Sequence, residues 1–380
     1  TLRFENRSLT IDVEQARVLG AEVTGGSATL PDLWNPRWLF IRARGWAPLS
    51  DGLRVLAETP LSYRLGGIAR ALSVTGRGGL ELSLDLPLNK TLDLRFAGSV
   101  LFANSDDAAT IELDGIGLRL TGLDGKLDFD NAGVSAEGVR ADLDGQPLRI
   151  GIATRGDGDQ GQTELQFSGE TSVAELSRRF PSRFWALASG QLDWQVAAVL
   201  NNADASERNP PLDLTFSSDL AGLALALPAP LGKPADTERA LSAEMRLESA
   251  AAGGTDGPGR GAGPFPLRVG LGYGDAGALL ELSRDATGQI GVARAAIEAG
   301  ARPQRLPAER GLSIDGTLPA LDLGPWIEWV GTNGGLLEPE QNRRARPEPL
   351  PVLPSQLGVE NLRLGTLRLR EVQAGFRPVE

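Results

Sequence analysis

The 380-residue chain has no cysteine and no histidine. Without cysteine there is no disulfide framework and no thiolate nucleophile or metal ligand. Without histidine the commonest general base, the commonest metal ligand and the usual partner of a nucleophilic serine are all missing. Aromatic residues are scarce too, at 5% of the chain. The 38 basic residues are fewer than the 49 acidic ones, and the net charge of −11 excludes a polybasic nucleic-acid surface. Almost all the positive charge is arginine, the lysines being Lys90, Lys126 and Lys233. No apolar run is long enough to cross a bilayer as a helix; the longest, Leu220-AGLALALPAP, is broken by Pro228 and Pro230. These absences argue against an enzyme, and no catalytic residue, metal or cofactor is assigned.

What the chain has is alternation. Leu80, Leu82, Leu84, Leu86 and Leu88 occupy every second position of Gly79-LELSLDLPLN, the spacing that lines one face of a β-strand, while Glu81, Ser83 and Asp85 take the other. The same comb returns at Ile116/Leu118/Leu120, Leu223/Leu225/Leu227, Leu267/Val269/Leu271 and Leu362/Leu364. With 48 Gly and 25 Pro as punctuation, the chain reads as all-β, a long curled and mostly antiparallel sheet of groove shape. It begins at Thr1 inside strand-like sequence, without a signal peptide, and reads as an internal piece of a longer chain.

Three segments carry helical spacing instead. Gly169-ETSVAELSRRF places Val173, Leu176 and Phe180 on one side, with Ser172 and Glu175 as a capping box. Gly45-WAPLSDGLRVLAETP and Gly316-TLPALDLGPWIEWVGTNGG look like looser copies, the latter with Pro325 suited to the first helical position. Their recurrence predicts three β-rich modules: residues 1–168 with a helix near 48–59, residues 169–315 with a helix near 172–180 and a flexible loop at 250–264, and residues 316–380 with a helix near 325–332. Trp46, Trp185, Trp326 and Trp329 on these segments read as plugs packed on strands.

Other motifs carry little. Gly272-YGDAG fits GxGxxG in letters only, because a strand and not a helix follows it, so it reads as a turn. Gly232-Lys233 lacks the rest of a phosphate loop and reads as a loop feature. Asp157-GDQG and Asp106-Asp107 do not match a calcium loop and read as solvated turns.

The combs are the working surface if nothing covers them. Three short helices cannot roof some twenty strands, and an aliphatic wall gains about 0.8 kcal/mol for each methylene it buries. The candidate lining residues are Leu80, Leu82, Leu84, Leu86, Leu118, Leu120, Leu223, Leu225 and Leu227. The alternatives are a β-sandwich scaffold or adhesin-like protein whose combs pack on each other, a carbohydrate-active β-solenoid, and an assembly factor that lends a strand edge to outer-membrane proteins.

Thr59-PLSYRLGGI, Val74-TGRGGLELSLDLPL, the stretch from Gly98 to Leu148 and above all Phe216-SSDLAGLALALPAPLGKPA resemble the YhdP family of AsmA-like proteins. The resemblance implies a long periplasmic protein of Gram-negative bacteria, tethered to the inner membrane by a segment not present in this chain. It implies a hydrophobic β-groove that carries phospholipid acyl chains toward the outer membrane, with both membrane contacts lying outside this chain. It supplies no catalytic residues.

Overall fold

In the computed structural model the described residues are 1–18, 21–51, 72–89, 93–103, 107–113, 118–155, 162–201, 212–247, 267–284, 290–336 and 350–376. They form 23 strands, so the chain is all-β, with open sheets of mixed and mainly antiparallel pairing and no closed barrel. The chain separates into two compact units, Thr1–Gly169 with Ala197–Leu212, and Glu170–Val196 with Asp213–Glu380.

In the first unit the strands are β1 (Leu2–Glu5), β2 (Ser8–Val13), β3 (Ala16–Val18), β4 (Ala21–Leu30), β5 (Trp38–Pro48), β6 (Leu72–Thr75) and β7 (Arg77–Pro87). They continue with β8 (Arg95–Phe102), β9 (Thr110–Leu113), β10 (Leu118–Asp130), β11 (Val134–Leu143), β12 (Gln146–Arg155) and β13 (Gln162–Ser172). Hydrogen bonds run β1–β2–β4–β5–β7–β8–β10–β11–β12–β13, every pair antiparallel. The short strands β3, β6 and β9 fill in beside β4 and β10. At ~4.8 Å per strand, ten strands side by side run about 45 Å across the sheet.

The second unit carries α1 (Val173–Arg179), a 3-10 turn at Arg183–Leu187, the greater part of β14 (Ala188–Asn201) and of β15 (Leu212–Ser218), β16 (Leu223–Leu225) and β17 (Leu241–Leu247). Then come β18 (Leu267–Tyr273), β19 (Ala276–Arg284), β20 (Ile290–Ala299), β21 (Gly311–Asp322), α2 (Leu323–Asn333), β22 (Ser355–Leu364) and β23 (Leu367–Phe376). The run β17 to β20 is antiparallel, β20–β21 and β21–β22 are parallel, and β22–β23 is antiparallel. Parallel neighbours need a crossover, and α2 supplies the one from β21 to β22.

α1 starts as the sequence predicts, α2 starts two residues earlier than expected, and each is capped by the last residue of a strand. Ser172 accepts from the Glu175 amide while the Glu175 carboxylate takes the Ser172 amide, a complete capping box. Asp322 caps α2 by accepting from Gly324 N at 3.1 Å. Pro325 therefore stands third and not first in its helix, still within the turn whose amides have no intrahelical partner. Other expectations shift as well. Trp46 lies in β5 and is 41% exposed, so it is no helix-borne plug. Leu88 falls just past the end of β7. The comb at Leu223 to Leu227 forms only a three-residue strand, because the segment then turns into a loop. Gly272-YGDAG is a two-residue hairpin turn between β18 and β19, with Gly274 at φ +55°. Of the helix expected near 48–59, Leu49, Ser50 and Asp51 are helical and residues 52–59 lie outside the described set. So do the loop at 250–264, Asp106 and the turn at 157–161.

Candidate functional site: the apolar sheet face

Cross-strand partners in an antiparallel ladder point to the same side, so the register settles which side chains share a face. In the first unit Leu86, Leu84 and Leu82 of β7 stand opposite Leu39, Ile41 and Ala43 of β5. On the other flank Leu80, Leu82 and Leu84 meet Val100, Gly98 and Phe96 of β8. Val100 and Gly98 lead on to Leu127 and Phe129 of β10, and these to Ala136 and Val134 of β11. In the other direction Ile41 and Ala43 face Ala28 and Gly26 of β4, then Ile11 and Val13 of β2. One side of the sheet is thus aliphatic from β2 to β11 without a charged residue among these positions. Gly98 belongs to the surface: a β-carbon there would collide with the Glu81 carbonyl and the Phe129 ring, so the aromatic ring lies where a side chain would be.

The opposite side is polar. Arg42 pairs with Ser83, Arg44 with Glu81 and Asp85 with Arg95 in the ladders, and Arg42 makes an ion pair with Asp85 at 2.9 Å. Ser99 of β8 and Lys126 with Asp128 of β10 continue that side, the latter two 2.8 Å apart. Apolar side chains occur there only locally, as in the Trp38–Phe40 stack with Arg95 over the Trp38 ring. These charges satisfy one another along the surface, which leaves the aliphatic side as the unusual one.

Burial divides the aliphatic side into two regions. Leu80, Leu82, Leu84 and Leu86 are all half-buried, shaded by neighbours in the adjacent strands. Among the described residues of this unit only Leu49, Ser50 and Asp51 are helical. Farther along, Phe102, Leu120, Leu123, Val139, Ala141, Leu148 and Ile150 are fully buried. Of the remaining candidates, Leu120 belongs to this closed region, and the side chain of Leu118 lies outside the described set.

Leu223, Leu225 and Leu227 sit elsewhere, in the second unit. Leu223 is buried with Val173, Leu192 and Leu220, and Leu176, Trp185 and Leu225 pack against this cluster. Here α1 covers the comb. Leu227 is half-buried in the loop that follows. The nine candidates are therefore not one wall: Leu80 to Leu86 share an open face, Leu120 is enclosed, and Leu223 and Leu225 belong to a helix-capped cluster.

The loop from Asp219 to Ala240 holds residues that sequence reasoning missed. Lys233 is 4% exposed, and its ammonium donates to the Leu220 carbonyl at 2.7 Å and the Leu223 carbonyl at 2.5 Å. Burial, aided by Arg239, holds its pKa below the ordinary lysine value. Arg239 donates to the Pro230 carbonyl at 2.6 Å, and the Tyr273 hydroxyl to that of Leu231 at 2.6 Å. The α2 indoles of Trp326 and Trp329 donate to the Ala229 and Ala226 carbonyls at 2.9 and 3.0 Å. Gly232 is required because a β-carbon would strike the Leu227 carbonyl. Five side chains thus hold the carbonyls of one loop, and the pattern LPxPLGK is the text of a rigid clasp. Its only sequence signal was a lone lysine after PLG in an apolar stretch.

A second missed feature is Glu281, 6% exposed, which accepts from Arg294 at 2.9 and 2.6 Å. Those bonds hold its carboxyl below the ordinary carboxylate value, against the opposing effect of burial. Arg294 also donates to the Pro307 carbonyl at 3.1 Å, fixing the connection into β21. Among the described residues no group of His, Cys, Asp and Glu side chains is placed to hold a metal ion.

The family model described as YhdP protein matches residues 1–380. The curated protein "Intermembrane phospholipid transporter YhdP" of Escherichia coli (strain K12) is 25% identical over 247 residues, which cover 64% of this chain and 19% of that relative. The chain thus spans about a fifth of the length of that protein. No solved structure matches.

Proposed function

The chain belongs to the YhdP family, and from that premise we propose that it is one stretch of a periplasmic bridge that conducts phospholipid between the inner and outer membranes. The observation that carries this reading is the aliphatic side of the first unit, half-buried over β4 to β8, where Leu80, Leu82, Leu84 and Leu86 meet Leu39, Ile41 and Val100. Acyl chains are held there by area alone. At about 0.8 kcal/mol per methylene, a surface without directional polar groups binds a chain at any register along its length. A lipid can therefore slide, since each methylene leaving one leucine is replaced by the next. The charged headgroup stays in water beyond the rim. No proton or covalent step is needed, which fits a chain without histidine or cysteine.

Placement in the periplasm, tethering to the inner membrane through a segment beyond this chain and support of the outer-membrane barrier are part of the same proposal. The name of the Escherichia coli relative, an intermembrane phospholipid transporter, supports the passage of phospholipid between two membranes. In a β-sandwich scaffold the leucines of β7 would be as buried as those of β12, and they are not.

The test is mass spectrometry of the purified 380-residue chain after detergent-free preparation. Co-purifying phospholipid, in an amount that falls when Leu82 and Leu84 are both changed to Ser, is the expected result. A lipid-free chain that also takes up none from phospholipid vesicles would count against the proposal.

A further inference from the structure

The polar side of the first unit is hollowed. Arg44 of β5, Glu81 of β7, Ser99 of β8 and Asp128 of β10 are successive ladder partners, one row across four strands with neighbours about 5 Å apart. On the β4 flank the register slips between Val23 and Gly25, leaving Thr24 as an extra residue, and a bulge of this kind bends its strand. Gly25 and Gly26 follow it. A β-carbon on Gly26 would stand 2.9 Å from the Arg42 carbonyl, and one on Gly25 3.0 Å from Arg44 Nε, so the guanidinium lies where a side chain would be. Here the sheet forms an open hollow of about 670 Å³, a volume within the range of small-molecule sites, and Arg44, Glu81, Ser83, Ser99, Lys126 and Asp128 are among the residues that line it.

The charges around this hollow balance, but they are not all joined. Arg42 is bonded to Asp85 at 2.9 Å and Lys126 to Asp128 at 2.8 Å. Arg44 and Glu81 oppose each other in the ladder without an ion pair, so a guanidinium and a carboxylate stand side by side with their hydrogen-bonding capacity open. Next in the row, Ser99 is 8% exposed, and its hydroxyl has no hydrogen-bond partner among the described residues. A polar group so buried is ordinarily bonded. This one lines the hollow and keeps accessible surface there. The two open charges set the chemistry of a ligand. Glu81 repels an anion and Arg44 repels a cation, whereas a molecule carrying both charges on a short spacer meets both groups at once.

We infer that this hollow binds a small zwitterion of the phosphoethanolamine type, an anionic and an ammonium group joined by a short aliphatic spacer. The anionic group takes the Arg44 guanidinium, a planar fork of donors suited to it. The ammonium donates to the Glu81 carboxylate and to the Ser99 hydroxyl, and the Lys126–Asp128 pair bounds the site beyond. Arg44, Glu81 and Ser99 lie on the side of the sheet opposite Leu80, Leu82 and Leu84, so the site stands independently of the lipid wall. The same group comes either as a water-soluble solute or as the headgroup of a lipid presented from outside.

The test is isothermal titration calorimetry of the full chain with phosphoethanolamine and with its two halves, inorganic phosphate and ethanolamine. Phosphoethanolamine is expected to bind roughly tenfold tighter than either half, since each half lacks one charge-assisted contact. R44Q should bind phosphoethanolamine no better than ethanolamine, and E81Q no better than phosphate, each a loss of about tenfold, while S99A loses about threefold. Arg44 and Glu81 are both exposed, so an unchanged thermal unfolding curve certifies that these two variants fold. Absence of saturable binding, equal affinity for phosphoethanolamine and phosphate, or one affinity shared by wild type, R44Q and E81Q overturns the site, and none of these results touches the lipid wall. Flotation with phosphatidylethanolamine vesicles separates the two sources. Flotation of wild type that is lost in R44Q supports the site with a lipid headgroup in it, and calorimetric binding without Arg44-dependent flotation supports it with a soluble solute.

Discussion

Leu84 and Leu223 come from the same kind of sequence, a leucine on every second residue, and end in opposite surroundings. Leu84 stands half-buried on a sheet side that no described helix covers, while Leu223 is 6% exposed beneath α1. The comb does not decide which. The covering element does, and it is specified by the capping box at Ser172 and Glu175, remote from the comb in sequence, and by the clasp in which Lys233 holds the Leu220 and Leu223 carbonyls. A periodic strand thus becomes core where a neighbour is built to seal it and stays half-buried where no described helix covers it.

The largest expected consequence lies on the sealed side. Leu223→Ala removes a buried side chain whose surroundings are pinned by hydrogen bonds and cannot collapse freely, so it should cost about 3 kcal/mol in denaturant unfolding of the second unit. Phospholipid bound by the first unit should stay. A smaller loss follows from Lys233→Met, which keeps the apolar stem and leaves the Leu220 and Leu223 carbonyls without its ammonium. About 2 kcal/mol is expected, read from the same unfolding curve. If Lys233→Met is neutral, the clasp does not hold the loop and the contrast between the regions loses its cause.

The ion pair at Glu281 gives a pH signature within the second unit. Its carboxyl titrates below the ordinary value of 4.5 in the fold, so the stability it contributes is complete above that value and is lost as pH falls through the depressed folded value. Glu281→Gln should therefore cost about 1 to 2 kcal/mol near neutrality, and the difference from the parent should close as pH falls through the depressed folded value. A constant difference across that range would mean that packing, and not charge, sets the cost.

On the open side the pattern inverts. Leu84→Ser should change stability by only about 1 kcal/mol, since that side chain is only partly buried. Phospholipid content per chain should nevertheless drop. A variant that is stable but lipid-poor, beside Leu223→Ala that is unstable but lipid-loaded, is the sharpest form of the comparison.

Much of this was legible in the sequence, for definite reasons. The period of two in Gly79-LELSLDLPLN fixed β7 and its two faces, because side-chain direction in a strand depends on parity alone. Ser172 with Glu175 marked the start of α1 to the residue, since a capping box is a local contact. What escaped notice depends on groups distant in the chain. The role of Lys233 requires carbonyls 10 and 13 residues away to converge on one ammonium, and that of Trp326 a carbonyl 97 residues away. Leu223 and Leu84 are indistinguishable by pattern, so which comb is open could be seen only once α1 was placed. Pro325 was put at the head of its helix because its ring suits that position, whereas the Asp322 side chain caps a helix that starts two residues earlier, at Leu323.

The most direct measurement is photolabelling by a phospholipid carrying a diazirine near the end of its acyl chain, with the labelled side chains of β7 read by fragmentation mass spectrometry. Label on Leu80, Leu82, Leu84 and Leu86, with little on Glu81, Ser83 and Asp85, is the predicted outcome. Label spread evenly over both parities, or concentrated on the Glu81 and Asp85 side, would contradict the claim that the uncovered comb is the surface that holds lipid.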